Sequence, residues 1–205
     1  QEAIRHRLAA SVRSPIEYLP FPLLRSAHRY LGAHLELFLR HPGRYLATLF
    51  TVLAAFDREL FERFVQAGFL ARSLRRDGVR HLHAGFVHFP GSIAWIVHRI
   101  TGLSFSLATH AKDFVHSPRG LLRKKLTEAE LVFTCTQNNV ADQEAAAAPG
   151  RIARLRRVYH GTDLERLRFR ACGEEDPPLI LAVGRLVEKK GFDHLIAACG
   201  LLRDR

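Results

Sequence analysis

The chain runs to 205 residues, 47% hydrophobic and 25% charged, a composition that excludes a disordered chain and suffices for one substantial core or two smaller ones. Lys and Arg outnumber Asp and Glu by 31 to 20 for a formal net charge of +11, which favours an anionic partner: nucleic acid, an anionic membrane surface or a phosphorylated small molecule. Three widely spaced cysteines without a CxxC pair, Cys135, Cys172 and Cys199, indicate neither a disulfide framework nor a zinc knuckle and fit a reducing, cytoplasmic compartment.

From Gln1 to about Arg76 the pattern is helical, punctuated at Ser14-Pro15, Pro20-Phe21-Pro22 and His41-Pro42-Gly43. Leu46, Leu49, Phe50, Leu53, Leu60, Phe61 and Phe64 keep helical spacing, with Arg58, Glu59, Glu62 and Arg63 between or beside them, so one amphipathic helix is expected here. It needs an apolar partner, either protein or a membrane surface. The longest apolar run, Leu46–Phe56, is about half of the roughly 20 residues a spanning helix requires. No charged region followed by an apolar one marks a signal peptide, and the absence of Met leads to the expectation that Gln1 is internal to something longer.

Beyond Asp77-Gly78, which reads as a turn, strands and helices alternate. Val79–His83 is a short expected strand with a loop from Ala84-Gly85 to Pro90-Gly91, and Ile93, Ile96, Val97 and Ile100 face one side of a helix that stops at Gly102. Leu103–Thr109 is the next strand, with His110-Ala111-Lys112-Asp113 as its loop. A basic helix around Arg119–Leu126 leads to a strand Leu131–Cys135, Thr136 N-caps a helix over Gln137–Ala148, and Pro149-Gly150 ends it. Leu155–Tyr159 is another strand, and His160-Gly161-Thr162-Asp163 reads as a turn. The alternation predicts an α/β fold with a Rossmann-like, doubly wound parallel sheet.

The stretch 164–178, with Arg166, Arg168, Arg170, Glu174, Glu175, Asp176 and a Pro pair, reads as a linker. Leu179–Val183 then reads as a buried parallel strand stopping at Gly184, followed by Arg185, Glu188, Lys189, Lys190 and Gly191 in a basic loop. Phe192, Leu195, Ile196 and Cys199 form the face of a helix after it. Two cations beside a helix N-terminus suit a diphosphate.

Four stretches in this order carry a family resemblance: His81–Gly85 (HLHAG), Phe105–Phe114 (FSLATHAKDF), Val158–Asp163 (VYHGTD) and Ala182–Ala197 (AVGRLVEKKGFDHLIA). They resemble the retaining glycosyltransferases of the GT-B fold in family 4, nearest to the exopolysaccharide, colanic-acid-like branch. The resemblance implies that residues 1–163 are most of an acceptor-side domain lacking its start, 164–178 the interdomain linker and 179–205 the truncated start of a donor domain, so that the chain is a fragment inactive on its own. It implies transfer of a sugar, with retention, from a nucleotide-diphosphate sugar to a lipid-linked or polysaccharide acceptor. Arg185 and Lys190, with Gly184, would bind the donor diphosphate, and His110 would meet the donor sugar. Asp113 and His83 are further candidates for acceptor or sugar contacts.

Because those cations stand in for a metal, the resemblance implies no cofactor and no divalent ion. His81, His83 and His88 are a weak zinc set, with no nearby Cys and no HExxH spacing. Arg72–Arg76 and Arg151–Arg157 suit a solvated face or an anionic membrane at the inner side of the bilayer. Two readings without catalysis stand beside the transferase: a basic nucleic-acid-binding module, though no nucleic-acid motif is present and none is expected as partner, and a peripheral membrane protein.

Overall fold

The computed structural model describes residues 13–20, 23–110, 117–147, 154–165, 167 and 179–203. The chain divides into two compact units, Gln1–Gly161 and Thr162–Arg205. In the first, three helices, α1 (Ala27–Arg40), α2 (Pro42–Ala54) and α3 (Arg58–Arg76), precede the alternating part. That part runs β1 (His81–Ala84), α4 (Phe89–Thr101), β2 (Ser104–Thr109), α5 (Arg119–Glu128), β3 (Leu131–Thr134), α6 (Gln137–Ala146) and β4 (Leu155–Arg157).

The expected amphipathic helix through Leu46 and Phe64 is two helices. The break falls at Phe56, whose φ of 48° is left-handed, and Asp57 restarts the helix as an N-cap, its Oδ1 accepting from the Leu60 amide at 3.1 Å. The Asp57 cap was the available sequence signal for the restart.

All four strands are parallel and lie in the order β1-β2-β3-β4. The expected α/β architecture is present: among the described residues the sheet is all-parallel and its strands alternate with helices, an arrangement compatible with a Rossmann-like fold. One face carries the core. Phe105, Leu107, Val132 and Ala84 alternate inward and are buried with Trp95, Ile96, Val97 and Ile100 of α4 and Leu122 and Leu126 of α5. On the opposite face the strands present His81, His83, Ser104, Ser106, Phe133 and Arg156.

Helix α4 is the hub of the unit. Gly102 ends it in the left-handed conformation (φ 83°), its amide donating to the His98 carbonyl, and the Arg44 guanidinium of α2 donates to the Arg99 and His98 carbonyls at 2.9 and 3.1 Å, adding a partner at the helix end. A Cβ at Gly102 would lie 2.6 Å from Arg44 Nη1. At its other end Lys125 of α5, fully buried, donates from Nζ to the Val87 carbonyl at 2.6 Å, the His88 carbonyl at 3.3 Å and Ser92 Oγ at 3.2 Å.

The helices α1, α2 and α3 meet at His34. Its Nε2–H donates to the Val65 carbonyl at 3.0 Å, so in the neutral ring Nδ1 accepts from the Tyr45 hydroxyl at 2.9 Å. Gly68 is required opposite it, since a Cβ there would lie 2.4 Å from His34 Nε2.

The second unit contains helix α7 (Phe192–Arg203) after a short 3-10 turn, Glu188–Lys190. The strand expected at Leu179–Val183 is absent: no ladder forms there among the described residues, and Leu179, Ile180, Leu181 and Val183 are exposed. A strand is defined by its neighbour, and an apolar run without one has no ladder to join.

Two predictions follow from these contacts. Burial holds the His34 imidazole below its ordinary value of 6.5, with the Val65 hydrogen bond acting the other way. The neutral ring is therefore the folded form, and the stability it contributes is complete above that value and lost as pH falls below it. Thermal melting at pH 7 and pH 5 should show a drop that His34→Gln reduces. Replacing Lys125 with Met removes one donor each from the Val87 carbonyl, the His88 carbonyl and Ser92 Oγ, the His88 carbonyl keeping the Ser92 amide and hydroxyl, and should cost about 2–4 kcal/mol in chemical denaturation; wild-type stability in that variant would contradict the role.

Candidate functional site

In a parallel sheet every strand delivers its carboxyl end to the same edge, where ligands meet loops and helix N-termini. Here that edge carries Gly85 and Phe86 after β1, His110 after β2, Cys135 and Thr136 after β3, and Val158 to His160 after β4. Its floor is polar and buried. Thr109 Oγ1 donates to the Phe133 carbonyl at 2.9 Å and accepts from Gln143 Nε2 at 2.6 Å, which ties β2, β3 and α6 together.

The turn after β1 is held from two sides. Lys125 grips its Val87 and His88 carbonyls, and Gly91 approaches so closely that a Cβ would sit 3.1 Å from the Phe86 carbonyl and 3.2 Å from Leu107 Cδ2. This fixed turn places the Phe86 ring against His110, with centroids 5.1 Å apart. On its other side His110 stacks on His160, 5.3 Å between centroids and 12° between planes. Cys135 completes the group: the ligating atoms of His110, Cys135 and His160 all lie within 4.8 Å of one another. Thr136 N-caps α6 beside Cys135, its hydroxyl accepting from the Asn139 amide at 3.2 Å.

The expected site residues fall in different places. His110 stands at the strand-end edge, half-buried. His83 belongs to the sheet face instead, within a chain of hydrogen bonds. Ser104 donates to the Arg80 carbonyl at 3.4 Å, so in the neutral rings His81 Nδ1–H donates to Ser104 Oγ at 2.8 Å and His81 Nε2 accepts from Ser106 at 2.9 Å. Ser106 Oγ in turn accepts from His83 Nδ1–H at 2.8 Å, and the His83 ring meets Phe133 edge-on at 5.9 Å. Such pairing is what two histidines on one strand face do when the neighbouring strand offers serines in register. Asp113 lies outside the described residues.

Gly184, Arg185 and Lys190 lie in the second unit, on the turn leading into α7. The Lys190 amide donates to the Val187 carbonyl, and the Gly191 amide to that of Glu188, both at 2.9 Å. Gly191 is left-handed (φ 63°), which redirects the chain into the helix starting at Phe192. A Cβ at Gly184 would meet Phe192 Cζ at 3.3 Å and Lys190 Cδ at 3.7 Å, so the turn closes on itself. Arg185 and Lys190 are both exposed.

Cys135 and His160 were not among the expected site residues: the first was read as the end of a strand and the second as part of a turn. Their shared signal was position, since Cys135 directly follows β3 and His160 comes shortly after β4. Lys125 left no signal, because a lysine within a basic helix reads as a solvated charge. Among the described residues no helix is long and apolar enough to cross a membrane. No family model matches the chain, and neither a curated protein nor a solved structure matches it.

Proposed function

We propose that this chain is part of a retaining glycosyltransferase of the GT-B type, moving a sugar from a nucleotide-diphosphate donor to a lipid-linked or polysaccharide acceptor in cell-surface or exopolysaccharide synthesis. The observation that carries the reading is the glycine-bounded turn from Gly184 to Gly191. It sets Lys190 two residues before the first residue of α7, in a turn that also holds Arg185. Helix N-terminal amides carry partial positive charge and leave their donors open, so cations beside them favour a diphosphate. Arg185 would bind its oxygens in bidentate fashion and Lys190 would act as a point charge. Departure of a nucleoside diphosphate concentrates negative charge at those oxygens, so these groups stabilise the transition state more than the ground state. His110, at a strand end, supports the reading as a hydrogen-bonding partner for a sugar hydroxyl, not as a general base.

A location at the inner membrane surface, through an anionic lipid surface, is part of the proposal. Its support is an apolar stripe on α1 and α2: Leu31, Leu35 and Leu39 repeat every four residues, Leu46, Phe50 and Leu53 follow, and all are exposed. Phe56 at the end of α2 is 98% exposed. The only acid of α1, Glu36, is paired with Arg40, Arg72 and Arg75, and α2 has none, so nothing on the stripe repels an anionic headgroup.

In the intact protein, Arg185→Ala or Lys190→Ala should lower sugar transfer by about 10²–10³-fold while circular dichroism stays unchanged; normal release of nucleoside diphosphate by both variants would refute the assignment. Flotation with anionic vesicles should recover the wild-type protein and lose the double variant Leu35→Glu, Phe50→Glu, whereas equal recovery would remove the membrane component.

A further inference from the structure

The histidine–cysteine–histidine group at the strand ends has chemistry beyond a sugar contact. Its ligating atoms are two imidazole nitrogens and one thiol sulfur, contributed by the ends of three neighbouring strands, and all lie within 4.8 Å of one another. In a tetrahedral zinc site, bond lengths of about 2.0–2.3 Å put such atoms about 3.3–3.6 Å apart. Side-chain rotation of no more than about 1.5 Å therefore closes the group on an ion, with no movement of the sheet. The donor set discriminates: it contains no carboxylate, so calcium and magnesium are disfavoured, and nitrogen with thiolate selects a borderline-soft divalent ion.

Cys135 immediately precedes the N-cap of α6, so the thiol stands at the strand-end edge between two regular elements. The adjoining elements β3 and α6 also hold buried side-chain atoms without a hydrogen-bond partner among the described residues: Thr134 Oγ1, Asn139 Nδ2 and Gln143 Oε1.

We propose that His110, Cys135 and His160 bind a divalent ion of the Zn2+ class, with three protein ligands and a fourth position open to water. Binding releases the Cys135 proton to solvent and takes up a lone pair from each neutral imidazole. It engages the His110 nitrogen that a sugar hydroxyl would otherwise meet, so the ion and a bound sugar compete for one residue. The site itself does not depend on the transferase reading.

The test is titration of the reduced, chelator-treated full chain with Co2+. The wild type should develop a near-ultraviolet thiolate-to-cobalt band and the intense visible bands of a tetrahedral ion, both removed by Zn2+. Cys135→Ser should abolish the thiolate band, and Cys172→Ser and Cys199→Ser should keep it. His160→Ala alters an exposed side chain and should weaken binding at least about tenfold. Absence of the band in the wild type, its survival in Cys135→Ser, or unchanged affinity in His160→Ala would each overturn the proposal, and none of these readouts involves sugar transfer.

Discussion

Burial of the Lys125 ammonium is the constraint from which the geometry of the strand-end edge follows. An ammonium withdrawn from water is tolerated only when its donors are met, and the Val87 and His88 carbonyls and Ser92 Oγ supply three acceptors. Those groups lie in the β1–α4 turn and the first turn of α4, so a single cation joins α5 to the stretch of chain that turns between strand and helix. The turn then has one conformation, the Phe86 ring has one position, and His110 packs against it. The electrostatics of a buried charge become the positioning of an imidazole two elements away.

The other organising fact is that the sheet has unlike faces. Core side chains and three helices occupy one side, while the other carries the His81–Ser106–His83 chain of hydrogen bonds. On that second face side chains bond to each other across the ladder, two histidines of β1 aligned with two serines of β2. Polar pairing of this kind gives the face a fixed pattern without burying it.

Much of the first unit was legible because local rules and packing agree there. Gly102 at a helix end, Thr136 as an N-cap and the alternation of apolar strands with amphipathic helices each state locally what the fold requires. Phe56 departs from that: periodicity carried through Phe64, but a left-handed aromatic residue and the Asp57 cap divide the helix. Leu179–Val183 shows the complementary limit, since an apolar run announces a wish to be buried and says nothing about whether a neighbour is present to pair with it. Lys125 and the group of His110, Cys135 and His160 were illegible for a further reason. Their meaning lies in contacts between residues distant in the chain, and neither composition nor spacing encodes which strand ends become neighbours.

The register of the sheet also bears on how the molecule comes to exist. Ser104 pairs with His81, Leu131 with Ser106 and Leu155 with Val132, so among the described strands each docks on the one made just before it. Loop closure is short at every step, and the order of pairing is the order of synthesis. A ribosome releasing this chain would extend these four strands along one advancing edge, with each βα unit templated by its predecessor.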